Sequence, residues 1–306
     1  MTLLDSPPPA VLLLHGLCAN PLELAPVAKS LREAGYVVEV PAMSGYGVSA
    51  LGDQRGQPQP VPPFEHWLAE VEAAYDRLLA THGRVAIGGL CMGAVLALAL
   101  AARRPATALV LISTTLHFDG WNVSPWRRLL PLAFLPVLRR RMSFKETAPY
   151  GLKNERMRAW VEQAMASDHV SAVGAARLSA AALFEATRLI RHVRARLPRL
   201  STPALVLHAT QDDVAGPRSV HELQRRLGQA PEVHWFHDSY HMLTLDNERV
   251  TVARQVRDFL LRQLPLTASK PGTGLGAGAC PPLHTALPPE LRPALNMPGA
   301  LHEQHA

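Results

Sequence analysis

Cysteines, aromatic residues and long apolar runs are all scarce in this 306-residue sequence. Aromatic side chains make up 6% of the residues, and the three cysteines, Cys18, Cys91 and Cys280, are far apart. An odd number of widely spaced cysteines argues against a disulfide framework and a metal finger, and is typical of free thiols in a reducing compartment. The histidines do not fall at ligand spacing with acidic partners, so the sequence indicates neither a metal nor an organic cofactor.

The chain also lacks the usual signals for membranes, secretion and nucleic acids. No run of eighteen purely apolar residues occurs, and the first residues, MTLLDSPPPA, lack a basic stretch followed by an apolar one. We therefore expect no membrane span, no signal peptide and a cytoplasmic location. Basic and aromatic residues are not interleaved and no nucleic-acid-binding motif is present, so a nucleic-acid partner is not expected.

Positive charge is concentrated in one part of the chain. The formal net charge is +6, but residues 127–199 contain thirteen arginines and two lysines against five acidic residues. This segment therefore has an excess of ten positive charges, whereas the remainder has an excess of four negative charges. Two interpretations stay open: a solvated arginine-rich helical surface, or a surface that binds the phosphates of CoA or an acidic carrier protein.

Short apolar runs alternate with longer amphipathic ones over most of the sequence. This alternation is typical of a mostly parallel sheet flanked by helices, and the 48% hydrophobic content suits one large α/β domain. The predicted strands are Ala10–Leu14, Tyr36–Val40, Arg84–Ile87, Thr107–Ile112, Pro203–His208 and Pro231–Phe236. The predicted helices are Pro21–Ala34, Phe64–Thr81, Met92–Arg103, Pro217–Leu227 and Glu248–Leu264.

The alternation stops between residues 118 and 199, where the patterns are helical and no strand-like run occurs. Insertions at this position of an α/β sheet lie over the carboxyl ends of the strands, where ligands bind. We therefore expect a helical cap inserted after the fourth strand, with residues 1–117 and 200–264 forming the core. Residues 265–306 contain eight prolines and five glycines, and we expect this tail to be disordered.

The segment Gly89-Leu-Cys-Met-Gly93 follows an apolar strand and precedes an alanine-rich helix. It matches a pattern in which a strand turns abruptly into a helix and the central residue, a nucleophile, is exposed above the sheet. Glycines are needed on both sides because neighbouring backbone approaches closely there. Cys91 is thus a candidate nucleophile, and the alternative is a buried structural cysteine beside helix-packing glycines.

A carboxylate and a histidine follow in the chain order nucleophile, acid, histidine. Asp212 comes at the end of the fifth predicted strand, and His241 lies in the loop between the last strand and the final helix. A carboxylate at Asp212 can orient the imidazole of His241, which can then exchange a proton with Cys91. The competing carboxylates are Asp213 and Asp238, and the competing histidine is His237.

The stretch Leu12-Leu-Leu-His-Gly-Leu-Cys18 is a strand followed by a His-Gly turn. A turn of this kind can present a backbone N–H to a substrate carbonyl, so we expect the N–H groups of Leu17 and Met92 to form an oxyanion hole. His15 is expected to stabilise the turn rather than to act in catalysis. Cys18 is expected to be a small filler close to the pocket.

Together these motifs resemble the α/β-hydrolase superfamily, and within it the small bacterial carboxylesterases and monoacylglycerol-lipase-like hydrolases. The resemblance covers roughly residues 10–118 and 200–264, and it rests on LLLHGL, PAMSGYG, the turn around Cys91, ATQDDV and DSYHMLTLD. It implies the α/β-hydrolase fold and a Cys91–His241–Asp212 triad. Those esterases have serine at the position of Cys91 and commonly glycine at that of Tyr240. A cysteine at this turn is instead similar to dienelactone hydrolases and polyhydroxyalkanoate synthases, which use an acyl-thiol intermediate.

The expected function is hydrolysis of esters or thioesters with a medium-length apolar acyl group, through an acyl-thiol intermediate. The apolar segments Leu129–Leu138 and Ala180–Phe184 are candidates for the acyl pocket, and the alternative is that they pack within the cap. Because a thioester is also attacked by amines, thiols and alcohols, the alternative function is an acyltransferase with a non-water acceptor. A third interpretation is a hydrolase-fold protein without catalysis, used for binding.

Overall fold

The computed structural model describes residues 7–47, 61–124, 129–139, 141–168 and 177–266, without the side chains of residues 164–168. The predicted tail, residues 265–306, lies outside the described residues except for its first two. Among the described helices, none has the length and apolar character needed to cross a bilayer.

Six parallel strands form the central sheet, in the order β2-β1-β3-β4-β7-β8, and two further strands form a separate ribbon. The strands are β1 (Ala10–Leu14), β2 (Val37–Glu39), β3 (Val85–Leu90), β4 (Leu109–Ile112), β5 (Ser143–Lys145), β6 (Arg177–Ser179), β7 (Ala204–Ala209) and β8 (Glu232–Phe236). The mostly parallel six-stranded sheet expected from the sequence is confirmed. Because β3, β4, β7 and β8 are parallel neighbours, the loops that follow them meet at one edge of the sheet.

Helices cover both faces of the sheet. They are α1 (Ala25–Ala34), α2 (Phe64–His82), α3 (Met92–Ala101), α4 (Leu130–Ala133), α5 (Pro136–Arg139), α6 (Glu155–Asp168), α7 (Ala180–Arg194), α8 (Arg218–Arg226) and α9 (Arg249–Gln263). Short 3-10 helices span Pro21–Leu24 and Leu197–Arg199.

The strands are apolar along their whole length because alternate side chains enter two different cores. On one face, Leu12 and Ile87 pack with α2, α3 and α7. On the other, Val11 and Ala86 pack with α1 and α9. Helix α3 is buried from Met92 to Leu100, which explains why its sequence contains no polar face.

Several predicted elements differ by one or two residues at their ends, and the differences are largest at β3 and α1. Strand β3 continues through Gly88 and Gly89 to Leu90, beyond the predicted end at Ile87. The extension depends on glycine, because a Cβ at Gly88 would lie 2.9 Å from Leu13 Cδ2 and 3.1 Å from Val110 Cβ. The predicted helix Pro21–Ala34 is a 3-10 turn followed by α1.

The insertion after β4 is not purely helical. Strands β5 and β6 pair antiparallel, with Phe144 opposite Leu178. The prediction that no strand lies between residues 118 and 199 is therefore wrong. Each of these strands has only three residues, which is too short to produce a periodic pattern in the sequence.

Helix α7, at the end of the predicted cap, belongs to the core layer. It packs against α2 and α3, and its residues Ala186 and Leu189 are fully buried in the core on that face. The boundary of the cap at residue 199 stays a prediction, although α7, which lies within it, shares a core with α2 and α3.

Several arginines of the basic segment bind groups of the protein itself. Arg188 pairs with Glu65 and Glu185, both at 2.6 Å. Arg194 donates from Nε to Glu222 Oε1 at 2.9 Å. These ion pairs join α7 to α2 and α8, so they favour a structural role for this part of the positive charge over the binding of CoA or a carrier protein.

A pair of leucine truncations tests the place of α7. Leu189→Ala removes a fully buried side chain, and we expect it to lower the free energy of unfolding by about 2–5 kcal/mol. Leu132→Ala, in α4, removes a side chain that is 57% exposed, and we expect a change within about 0.5 kcal/mol. The urea-denaturation midpoint measures both, and equal effects would contradict the placement of α7 in the core.

The stability should depend on acid through Glu222. Hydrogen bonds from Arg194 and His117 lower the pKa of this 6%-exposed carboxylate to about 2. A pKa below that of the unfolded chain stabilises the protein above pH 5, and this stabilisation, about 3 kcal/mol, disappears as the pH falls towards 2. Glu222→Gln should flatten unfolding free energy against pH in that range. Glu33→Gln, whose side chain is 66% exposed and 3.9 Å from Lys29, should leave the curve nearly unchanged.

Candidate active site

Cys91 occupies a strained turn between β3 and α3. Its backbone has φ 57° and ψ −118°, a conformation that residues other than glycine rarely adopt. Its N–H donates to the carbonyl of Ile112 at 2.9 Å, which ties the turn to the end of β4. This conformation raises the side chain above the carboxyl edge of the sheet.

The glycines on both sides of Cys91 allow three backbone segments to meet. A Cβ at Gly89 would lie 2.3 Å from the carbonyl carbon of Gly93. A Cβ at Gly93 would lie 2.1 Å from the carbonyl oxygen of Leu14, at the end of β1. The start of α3 is therefore in direct contact with the loop that follows β1.

Asp212 and His241 form a buried hydrogen-bonded pair. His241 Nδ1 lies 2.9 and 2.8 Å from the two carboxylate oxygens of Asp212. Asp212 Oδ1 also accepts the N–H groups of Val214 and Ala215, at 2.8 and 2.7 Å, so the acid is held by its own loop. A carboxylate can only accept, so Nδ1 of His241 carries the proton of this hydrogen bond. Nε2 is then the ring nitrogen that can exchange a proton with another group.

The opposite charges of Asp212 and His241 move their pKa values apart. Burial alone would lower the pKa of His241, but the charges of Asp212 and Cys91 outweigh it and raise this pKa well above its usual value. Burial alone would raise the pKa of Asp212, but the charge of His241 and its hydrogen bond hold it below the usual value. Asp212 is therefore ionised and His241 readily carries a proton.

Three further carboxyl groups near His241 are pushed towards the neutral form. Burial raises the pKa of Glu23 to about 8 and also raises the pKa of Asp213. Burial, together with the charge of Asp213, raises the pKa of Glu146, which comes from the insertion. Of these four acids, Asp212 is the one whose pKa lies below its usual value.

The thiol of Cys91 lies between His241 and a threonine. Cys91 Sγ is 3.4 Å from Thr115 Oγ1, which itself donates to the carbonyl of Ser113 at 3.2 Å. His241 Nε2 is buried and has no hydrogen-bond partner among the described residues, although Cys91 contributes to the raised pKa of His241. Such contacts are often long in a free enzyme and tighten when substrate binds.

The two expected oxyanion donors lie on either side of the close contact between β1 and α3. Met92 is the first residue of α3, where backbone N–H groups have no partner within the helix. Leu17 follows Gly16, whose own N–H donates to Glu23 Oε1 at 2.5 Å. Glu23 therefore fixes the turn through Gly16, and the N–H of the next residue, Leu17, takes no part in that hydrogen bond.

The competing residues occupy other positions. Asp213 accepts the backbone N–H of His241 at 3.3 Å and does not contact its ring nitrogens. Asp238 has a 65% exposed side chain paired with Lys153. His237 is exposed, with its Nδ1 3.3 Å from Thr210 Oγ1. Tyr240 packs edge-on against Trp121 with ring centroids 5.4 Å apart.

His15 and Cys18 have surroundings that suit passive roles. Burial lowers the pKa of His15 to about 4, so its ring is neutral, and its Nδ1 lies 2.8 Å from the carbonyl of Gly16. Burial raises the pKa of Cys18 to about 12, so this thiol stays protonated. Within the described residues, no group of three or more His, Cys, Asp or Glu side chains could hold a metal ion.

Sequence reasoning missed Glu23, Thr115 and Asp246. Asp246 is fully buried and accepts four backbone N–H groups around the loop of His241. Its place in the motif DSYHMLTLD was the available signal. Glu23 and Thr115 gave none, because the first is an unusual buried acid and the second meets Cys91 only through the fold.

The chain matches curated bacterial enzymes over most of its length. It is 24% identical to the thermostable monoacylglycerol lipase of Bacillus sp. (strain H-257), over 84% of this chain and 92% of that enzyme. It is also 24% identical to a carboxylesterase of Bacillus subtilis (strain 168), over 82% of this chain and 92% of the relative.

Solved structures share the fold. A soluble variant of the monoglyceride lipase of Saccharomyces cerevisiae superposes with a TM-score of 0.71 at 15% identity, covering 85% of this chain and 88% of that one. The monoacylglycerol lipase of Paleococcus ferrophilus superposes with a TM-score of 0.67 at 18% identity, covering 83% and 94%.

Residues 5–248 match the Hydrolase_4 family, described as serine aminopeptidase, S33. The match runs from before β1 to the end of the loop that carries His241, and thus includes every part of the site described above. On this evidence the chain belongs to the Hydrolase_4 (serine aminopeptidase, S33) family of the α/β-hydrolase superfamily.

Proposed function

We propose that this protein hydrolyses carboxylic esters of apolar acyl groups, with Cys91 as the nucleophile, His241 as the acid and base, and Asp212 as the orienting carboxylate. The observation that carries the proposal is the buried Asp212–His241 pair, whose Nε2 is unpaired beside a thiol on a strained turn. Such an arrangement of nucleophile, base and orienting acid supports acyl transfer through a covalent intermediate.

In the proposed reaction the proton of Cys91 rests on His241 Nε2, and the sulfur, as thiolate, attacks the ester carbonyl carbon. The carbonyl oxygen becomes an oxyanion that accepts from the N–H groups of Leu17 and Met92. Collapse breaks the bond to the leaving alcohol, which takes the proton from Nε2 and leaves a thioester on Cys91. Water then attacks this thioester, gives its proton to His241, and releases the acid and the thiol.

The proposed acyl group is apolar. The curated relatives are named as a monoacylglycerol lipase and a carboxylesterase, and the insertion presents apolar side chains that the rest of the described protein does not cover. Those of α4 and α5 are Leu132 (57% exposed), Leu138 (41%) and Val137 (68%). Their exposure among the described residues leaves them available to an acyl group, whereas the ring of Phe134 packs on Phe184.

Sulfur at position 91 supports a second candidate function. A thioester reacts with amines, thiols and alcohols as well as with water, so the same site could pass the acyl group to a non-water acceptor. Thiolate also leaves more readily than alkoxide, which favours activated esters, lactones and thioesters over amides. Analysis of products in the presence of an added alcohol or amine distinguishes this acyltransferase from the hydrolase.

Cys91 can be tested by trapping the intermediate. Brief exposure to p-nitrophenyl esters should add one acyl group to Cys91, detectable by intact-protein mass spectrometry and removable by neutral hydroxylamine. Cys91→Ala should lose the adduct and lower kcat/KM at least about 10³-fold. Cys280→Ala removes a thiol that lies outside the described residues and should keep both. An adduct that persists in Cys91→Ala would contradict the proposal.

Asp212 should control the proton on His241. Because the carboxylate favours the imidazolium, Asp212→Asn should lower the pKa of His241. The alkaline limb of kcat, where the imidazolium needed by the leaving group is lost, should move to lower pH by the same amount. Titration of the His241 ring by NMR measures the shift directly. Asp238→Asn is the control, since that side chain is 65% exposed, and an equal shift there would refute the assignment.

A further inference from the structure

The segment from Gly151 to Asn154, which lies between the ribbon strand β5 and helix α6, is bound to the loop that carries His241. The Gly151 carbonyl accepts the N–H of Met242 at 2.8 Å. The side chain of Leu152, the next residue of the segment, is fully buried in the core on the α1 and α9 face. The segment is therefore anchored in the protein interior rather than spread over its surface.

Two buried carboxylates join this segment to the histidine loop. Asp246 accepts the N–H groups of Lys153 and Asn154 at 2.7 and 2.8 Å, and that of Tyr240 at 2.8 Å. Asp213 accepts the N–H of Gly151 at 3.1 Å and that of His241 at 3.3 Å. Each acid thus accepts N–H groups from two places, the insertion and the loop that carries His241.

Gly151 also touches the histidine itself. Its φ is +72°, and a Cβ built on it would lie 2.7 Å from Met242 Cγ and 3.2 Å from His241 Cβ. There is no room for a side chain between Gly151 and the Cβ of His241. The position of one therefore determines the position of the other.

We propose that residues 151–154 are a positioning element of the active site, which holds the His241 loop through Asp246 and Asp213 so that Nδ1 stays on Asp212. This role rests on the proposed function, because it serves the His241–Asp212 pair that acts in the proposed reaction. The physical reason is that a buried carboxylate which accepts several N–H groups fixes the distance between the segments that donate them. None of these residues touches substrate in this scheme.

The test uses Asp246→Asn and Gly151→Ala in the full chain, each with a matched control. Asparagine keeps the shape of Asp246 but turns an NH2 group towards backbone donors. Asp258→Asn is its control, since that side chain is 43% exposed and pairs with Arg257 in the same helix, α9. Gly83→Ala is the control for Gly151→Ala, because Gly83 has φ +68° and no atom within 4 Å of an added Cβ.

The first measurement is the proton NMR signal of His241 Nδ1–H in its hydrogen bond to Asp212, which needs no substrate. We expect a low-field resonance in the unmodified protein and in both controls, and its broadening or upfield displacement in Asp246→Asn and Gly151→Ala. The second measurement is ester turnover, where kcat should fall about 10- to 100-fold with KM within about twofold. A low-field signal and a kcat unchanged in both variants would overturn the proposal.

Thermal unfolding of each variant separates positioning from loss of fold. If Asp246→Asn does not fold, Gly151→Ala decides, and hydrogen exchange of the unmodified protein gives an independent answer. The amides of Gly151, Lys153 and Asn154 should exchange as slowly as those of Tyr240 and His241, and faster exchange of the segment would refute the coupling. Absence of any ester turnover, with the NMR behaviour as expected, would refute the proposed reaction and leave the positioning role intact.

Discussion

The hydrogen bond between Asp212 and His241 is the interaction on which the other features of the site depend. Both groups are buried, so the carboxylate and the imidazolium lose most of their hydration and each must be stabilised by the other. The backbone donors of Val214 and Ala215 fix the acid, and Asp213 and Asp246 fix the loop of the histidine. The geometry of this pair is thus a property of several loops together.

The carboxyl groups around His241 show how the protein prevents competing pairs. Glu23, Asp213 and Glu146 all interact electrostatically with the imidazole, yet burial pushes each towards its neutral form. One positive charge cannot balance four negative ones in a region of low dielectric, and Asp212, whose pKa is lowered, is the acid that makes the direct hydrogen bond to the imidazole. The remaining acids act mainly as acceptors for backbone N–H groups.

The sequence allowed the sheet, the turn at Cys91 and the candidate acid and histidine to be predicted because their signals are local. Glycines at 89 and 93, and apolar runs of strand length, can be recognised without knowledge of the fold. The contacts of Thr115 with Cys91 and of Asp246 with Lys153 could not be predicted, since they join residues 24 and 93 positions apart. The packing of α7 was missed for a related reason: an amphipathic helix shows that it has an apolar face, but not which layer covers that face.

The insertion is fastened to the core at both of its ends. Near its start, Gly120 donates to the carbonyl of Val214, and near its end α7 shares a core with α2 and α3. Between these points, Leu152 is anchored beside the histidine loop. An insertion restrained in this way cannot swing open as a rigid flap about a single hinge. The exposed apolar side chains of α4 and α5 lie between the first two of these anchors.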